Sequence, residues 1–349
     1  MLFRSPTAKN GAGNNINIAQ FHQPVGGSYQ WNVQAQRQIN NNLVASLAYV
    51  ASHGHDLPFP VDINQVPQGK LAVVDQQFRP YPQYGSINVS GTAPNENSIS
   101  NYNSLQAVIE QRTNYGLNFN FSYVWSHFLD DMDTSGWGSR AGSQAWQNAY
   151  NPTANYGNSN FDVRNAFKGN AIYQLPFGRG KQFMNNNLLL DEIFGGWQAS
   201  TIIIVQSGQP FTPVMSNGGN SYASGGGGFA WYPNVIGSPT LANRGPKQWF
   251  NEAAFAVPAS GTFGNERRNQ LTGPGLSTVN LSLGKTFAIW EQVRVQVRAD
   301  ADNVFNHASF SLPNNNLSLT GSTVSTGTSN LSGTSVPMRN MQLSARITF

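Results

Sequence analysis

His53 and His55 stand two positions apart in Ser52-His53-Gly54-His55-Asp56, a spacing that lets both imidazoles reach a metal ion from one face of an extended strand. No cysteine occurs in the chain and no third histidine lies close by, so solvated loop histidines are the plainer reading. Asp130, Asp131 and Asp133 offer the carboxylate oxygens that calcium prefers, without the other positions of an EF-hand loop. The glycine tract at 225–228 lacks the Lys-Ser/Thr ending and the strand-to-helix setting of a phosphate loop. Serine, histidine and aspartate are present, but no G-x-S-x-G elbow fixes a triad. The expectation is a protein that is not an enzyme and carries no cofactor or metal.

A second group of charges is more informative: Glu110, Arg164, Lys168, Arg294, Arg298, Asp300, Asp302 and Arg346. Each falls at a polar position of an alternating segment. The elements that position them are strands with one apolar and one polar face, because strand side chains point to opposite sides with period 2. The last stretch shows the pattern best: Met341, Leu343, Ala345, Ile347 and Phe349 alternate with Gln342, Ser344, Arg346 and Thr348.

Eight earlier segments read the same way: Tyr29–Ile39, Leu43–Ala51, Tyr102–Arg112, Tyr115–Trp125, Phe161–Leu175, Trp197–Ser207, Ser277–Phe287 and Val293–Ala301. Residues 1–27 read as loop, with a remnant of a strand near Asn15–Phe21. A single helical turn is expected at Leu188–Phe194. Short or moderate connections at 40–42, 113–114, 176–196 and 288–291 alternate with long ones at 54–100, 130–160, 209–275 and 304–338. Short turns on one side and long loops on the other describe a transmembrane antiparallel β-barrel, of which about nine strands are present. Trp31, Tyr49 and Trp125 fall at the long-loop ends of their strands, and Tyr115, Tyr173, Trp197, Phe287 and Phe349 at the short-turn ends. That distribution matches two interfacial aromatic girdles.

Composition agrees. Charged residues are 10% of the 349, against about a quarter in an average soluble protein, and asparagine alone outnumbers Asp, Glu, Lys and Arg together. The net charge of +4 is spread thinly, without the basic patch that nucleic-acid binding needs. No apolar run is long enough for a spanning helix. The opening MLFRSPTAKNGAG has no apolar region or cleavage site of a signal peptide.

Several segments carry a family resemblance: QWNVQAQRQINNNLVASLAYVASHG, NYNSLQAVIEQRTNYGLNFNFSYVWSHFLDD, FDVRNAFKGNAIYQLPFGRGK, FGGWQASTIIIVQSGQPFT, WFNEAAFAVPASGTFGNERRNQLTGPG and RADADNVFNHASF. In order and spacing, from about Gly27 to Phe349, they resemble the C-terminal barrel of TonB-dependent outer-membrane receptors of the Oar-like type, and the terminal Phe349 is how such barrels usually finish. The resemblance implies the outer membrane of a Gram-negative bacterium and uptake of a large ligand (siderophore, glycan or peptide) caught by the outer loops. It implies as partners the membrane lipid, a plug domain, the N-terminal strands of a full-length receptor and the TonB system acting through that plug. No plug or TonB box is present, so the sequence reads as a fragment or a truncated frame. The charges above would face the lumen, since Arg or Lys on the lipid face costs about 2–4 kcal/mol at the midplane; there they form ladders along the wall or hold the plug. The alternative function is a surface adhesion or matrix-interaction protein using the barrel as a platform for its loops. A soluble secreted β-protein is a third option, and it predicts apolar faces packed against each other.

Overall fold

The computed structural model describes residues 14–19, 24–57, 61–67, 76–90, 98–132, 147–184, 188–215, 232–259, 261–290, 293–320, 323–324 and 329–349. Nine long strands dominate: β1 (Gly27–Asn40), β2 (Leu43–Leu57), β3 (Ser98–Asn114), β4 (Leu117–Asp130), β5 (Asn165–Gln174), β6 (Trp197–Gln206), β7 (Leu276–Ala288), β8 (Arg294–Asp302) and β9 (Asn340–Thr348). Each pairs antiparallel with the next in sequence, which makes one continuous meander. Among the described residues β1 and β9 do not meet, so the sheet keeps two free edges and does not close.

Register fixes the faces. Val33 lies opposite Tyr49, Tyr49 opposite Leu105, and Leu105 opposite Trp125. Phe167 lies opposite Val205, and Leu281 opposite Ala301, which faces Met341. Residues directly opposite share a face, and in all nine strands the apolar side takes the odd numbers. This face is open: Val33 is 72% and Leu343 81% exposed. Of the buried apolar side chains among the described residues, Ala51 alone belongs to a long strand. A soluble sandwich would bury its strand faces against each other, and that option fails here.

The packed core lies instead in the long connections. Phe211, Met215, Phe250, Ala254, Phe255, Leu271 and Leu317 form one cluster, and Val61, Val89 and Met132 another. Short strand pairs stitch the first cluster together, such as Pro210–Phe211 with Leu271–Thr272 and Val214–Met215 with Asn316–Leu317. The expected open loops are thus a folded outer layer. Strand Asn14–Ala19 belongs to it, pairing parallel with Tyr84–Ser90 rather than with β1.

Local geometry shifts several of the expected boundaries. β2 and β4 run on to Leu57 and Asp130, and β3 begins at Ser98, because the ladders continue, with Leu57 opposite Ser98 and Asp130 opposite Ser100. The β3–β4 turn is Tyr115-Gly116, not Thr113-Asn114: both residues have positive φ, 50° and 82°, as a tight two-residue hairpin requires. β5 starts at Asn165, so Phe161 to Arg164 form a turn whose carbonyls at Val163 and Arg164 accept from Ser126 Oγ and Ser126 N.

Two features shape the odd face. Gly169 sits opposite Phe121, whose ring lies where a Cβ would be: a Cβ there would meet Phe121 Cδ1 at 2.3 Å. The helix α1 (Leu188–Phe194) covers Lys285, whose Nζ donates to the C-terminal carbonyls of Asp191 and Glu192 and lies over the Phe287 ring. A helix C-terminus carries partial negative charge, so a lysine is tolerated there on a mostly apolar face.

Candidate functional site

The even-numbered face carries the polar chemistry. Glu110, Lys168, Arg294, Arg298, Asp300, Asp302 and Arg346 all sit on it by register. Arg164 precedes β5 and pairs with Asp162 at 3.2 Å. The expected charge ladder on β8 reduces to one contact, Arg298 to Asp300 at 2.8 Å, with Ser282 Oγ also accepting from Arg298 Nε at 2.8 Å. Glu110 lies 3.7 Å from the exposed Arg112. Among the described residues Arg294, Asp302 and Arg346 have no ion pair.

Arg298 borders a small cleft of about 150 Å³ over β6, β7 and β8, and Lys168 lines a larger hollow. A hollow of about 400 Å³ opens over β3, β4 and β5, lined by Tyr102, Gln106, Ser122, Ser126, Phe161 and Lys168. Tyr102 and Phe128 meet edge to face at 5.8 Å, bracing the ring of Tyr102. Gln106 Nε2 donates to Ser104 Oγ, which donates to the Val50 carbonyl. The hollow therefore presents one ammonium, the aromatic residues Tyr102, Tyr123 and Phe161 and several neutral hydrogen-bonding groups, and its size is within the usual ligand-pocket range of about 300–1,000 Å³. Such a lining suits an anionic or hydroxylated ligand with an apolar part.

Sequence reasoning placed Lys168 but passed over Tyr102 and Phe161 as site residues. The missed signal was parity: Tyr102 and Phe128 are aromatic at even positions, where polar side chains prevail. The same test singles out Arg37 and Lys285, the two basic residues at odd positions of the long strands.

The outer layer is held to the strand ends by a buried ion pair. Arg268 and Asp130 are 1% and 3% exposed, and their side chains are in direct contact. Arg268 Nε also donates to the Asn155 carbonyl at 2.9 Å. Beside it Asn269, at φ 56°, donates through Nδ2 to the Asn158 carbonyl and Asn160 Oδ1 and receives the Thr212 hydroxyl. The Arg268-Asn269 pair of the NERRNQLTGPG motif is thus a staple between two connections. In DNVFNH, Asn303 Nδ2 donates to the carbonyls of His307 and Pro337, tying the end of β8.

Burial without a partner marks Glu266. It is 4% exposed, neither carboxylate oxygen has a hydrogen bond among the described residues, and desolvation pushes its carboxyl up to about 7. Burial also raises Asp62 and Asp131, against hydrogen bonds that pull the other way.

The residues suspected of metal binding are engaged elsewhere. His53 Nδ1 is 2.7 Å from Asn101 Oδ1, and His55 Nδ1 is 2.7 Å from Asp56 Oδ2. Asp130 holds Arg268, and Asp131 accepts from the Ser98 hydroxyl. Asp133 and the glycine tract at 225–228 lie outside the described residues. No cluster of three or more metal-ligating side chains occurs among the described residues.

Comparison with known proteins gives the family. The model of the outer membrane beta barrel domain family matches residues 3–342. Among solved structures, the outer membrane transporter YddB from Escherichia coli aligns with a TM-score of 0.47 at 11% identity, over 97% of this chain and 34% of that one. The chain thus spans about a third of that transporter's length. No curated protein matches the sequence. With apolar strand faces left open to the outside and a family match along nearly its whole length, the chain belongs to the outer membrane β-barrel domain family and resides in the outer membrane.

Proposed function

We propose that the chain forms wall and outer loops of a TonB-dependent outer-membrane receptor of the Oar-like type, which takes up a large ligand such as a siderophore, glycan or peptide. The observation that carries this reading is the hollow around Lys168 on the polar face, next to the strand ends that the outer layer caps. In a barrel the polar face meets the lumen, so a ligand leaving the outer loops would meet this hollow first. Free edges at β1 and β9 cannot remain in hydrocarbon, where each unpaired backbone group costs several kcal/mol. Further strands would pair them, and a plug would fill the enclosed space and couple to TonB.

The packing of the outer layer favours a second reading, a surface-interaction protein that uses the barrel as a platform, since a folded layer offers a fixed binding surface. Accumulation of a labelled ferric siderophore, an oligosaccharide and a peptide by cells with and without TonB separates the two. Accumulation that needs TonB and falls with Lys168→Met supports transport. Surface retention indifferent to TonB sinks it in favour of adhesion.

A further inference from the structure

Arg37 is the one unexplained cation on the face that meets lipid. Lys285, the other basic residue there, is buried under α1 and bonded to its carbonyls. Arg37 is exposed, and its side chain has no hydrogen bond or ion pair among the described residues. It lies opposite Ala45, three residues before β1 ends at the short turn. Trp31 is six residues away along the strand, about 20 Å at about 3.3 Å per residue. Arg37 is therefore near the short-turn end of β1, about 10 Å of strand from the turn, and its long side chain reaches the inner headgroup level from there.

A furrow of about 500 Å³ leads from Arg37 across the odd face. Ala35, Ala45 and Ala107 set its floor, and Leu47, Ile109 and Phe121 rise around them. The Phe121 ring is drawn toward Gly169 on β5, on the opposite side from its other neighbour Ile109. A flexible alkyl chain fits an apolar furrow open to hydrocarbon. A guanidinium at its end presents a fork of donors that matches phosphate oxygens.

We propose that this furrow is a binding site for an inner-leaflet glycerophospholipid, with one acyl chain over Ala35, Ala45 and Ala107 and the phosphate on Arg37. The site is independent of what crosses the barrel, and it stands if the transport reading fails. Its chemistry separates it from general solvation by lipid: charge and furrow must both be intact for one molecule to be held.

The test uses the whole chain in detergent micelles and native mass spectrometry, titrated with phosphatidylglycerol, with diacylglycerol as the same chains without phosphate, and with glycerol phosphate as the headgroup alone. Phosphatidylglycerol should bind at one copy per chain, at least tenfold tighter than either partial probe. Arg37→Gln should lose at least tenfold of that affinity and leave diacylglycerol binding unchanged. Ala107→Leu fills the furrow with another apolar side chain on an apolar face, so folding is preserved, and it should weaken both lipids. Equal binding by wild type and both variants overturns the site. So does retention of glycerol phosphate alone, or a dimer that Ala107→Leu dissociates, which would make a second copy the occupant.

Discussion

Replacing Arg268 with alanine is the sharpest perturbation of the outer layer. Both members of the Arg268–Asp130 pair are almost fully buried, so the substitution strands a carboxylate in a site of low polarity. It also removes the donor to the Asn155 carbonyl. Breaking a buried pair from one side costs about 3–5 kcal/mol, mostly through the uncompensated charge left behind. At about 1.4 kcal/mol per tenfold change, the opening equilibrium of the layer should rise by about two to three and a half orders of magnitude. Native-state hydrogen exchange reads this directly at the amides of Ser159, which donates to Phe128 O, and Asp162, which donates to Ser159 O. Amides in the β7–β8 ladder are the internal control, since they lie away from the staple. Substituting both partners with leucine should restore much of the loss, because two apolar groups leave no charge to satisfy. If Arg268→Ala changes protection at Ser159 and Asp162 by less than about threefold, the staple is not what holds the layer.

Further consequences concern the sheet and a titrating group. Ile203→Arg, on the odd face in the middle of β6, should cost about 2–4 kcal/mol in vesicles, whereas Asn170→Arg on the even face of β5 should cost under about 1 kcal/mol; guanidinium unfolding in lipid compares them. Gly169→Val must displace the Phe121 ring, at a cost of about 1–3 kcal/mol, and the double variant with Phe121→Ala should recover most of it in the same unfolding assay. Glu266 titrates near 7 in the folded layer against an ordinary 4.5, so the folded form binds the proton more tightly. The stability this lends is complete below about pH 4.5 and is lost as pH rises through about 7. The total is about 3 kcal/mol, at about 1.4 kcal/mol per pH unit. Asp62 and Asp131, also raised by burial, act in the same sense from a lower pH. Thermal unfolding of the outer layer between pH 4 and 8 should show that slope, and Glu266→Gln should flatten it.

The nine strands were legible because alternation is a local signal: each strand states its own faces, and the terminal Met341 to Phe349 run states them without a break. The helical turn at Leu188–Phe194 was legible for the same reason. The outer layer was not, because its order comes from contacts far apart in sequence, such as Arg268 with Asp130 and Phe211 with Leu271, that no local pattern announces. Tyr115 continues the alternation as an aromatic, yet Gly116 beside it takes the positive φ of a turn. Parity alone places Arg164 in β5, while Ser126 holds its backbone in the preceding turn. Arg37 went unnoticed for the opposite reason: it breaks the pattern, and residues that break a pattern are where a site is to be sought.

Everything rests on which medium touches the odd-numbered side chains. The chain has no cysteine, so single cysteines from Asn118 to Trp125 on β4 can carry a nitroxide label without background. In bilayers, Phe119, Phe121, Tyr123 and Trp125 should report high collision rates with lipid-dissolved oxygen, and Asn118, Asn120, Ser122 and Val124 high rates with a water-soluble nickel complex. Odd positions shielded from both reagents would mean that protein covers them, and the membrane assignment of this sheet would be wrong.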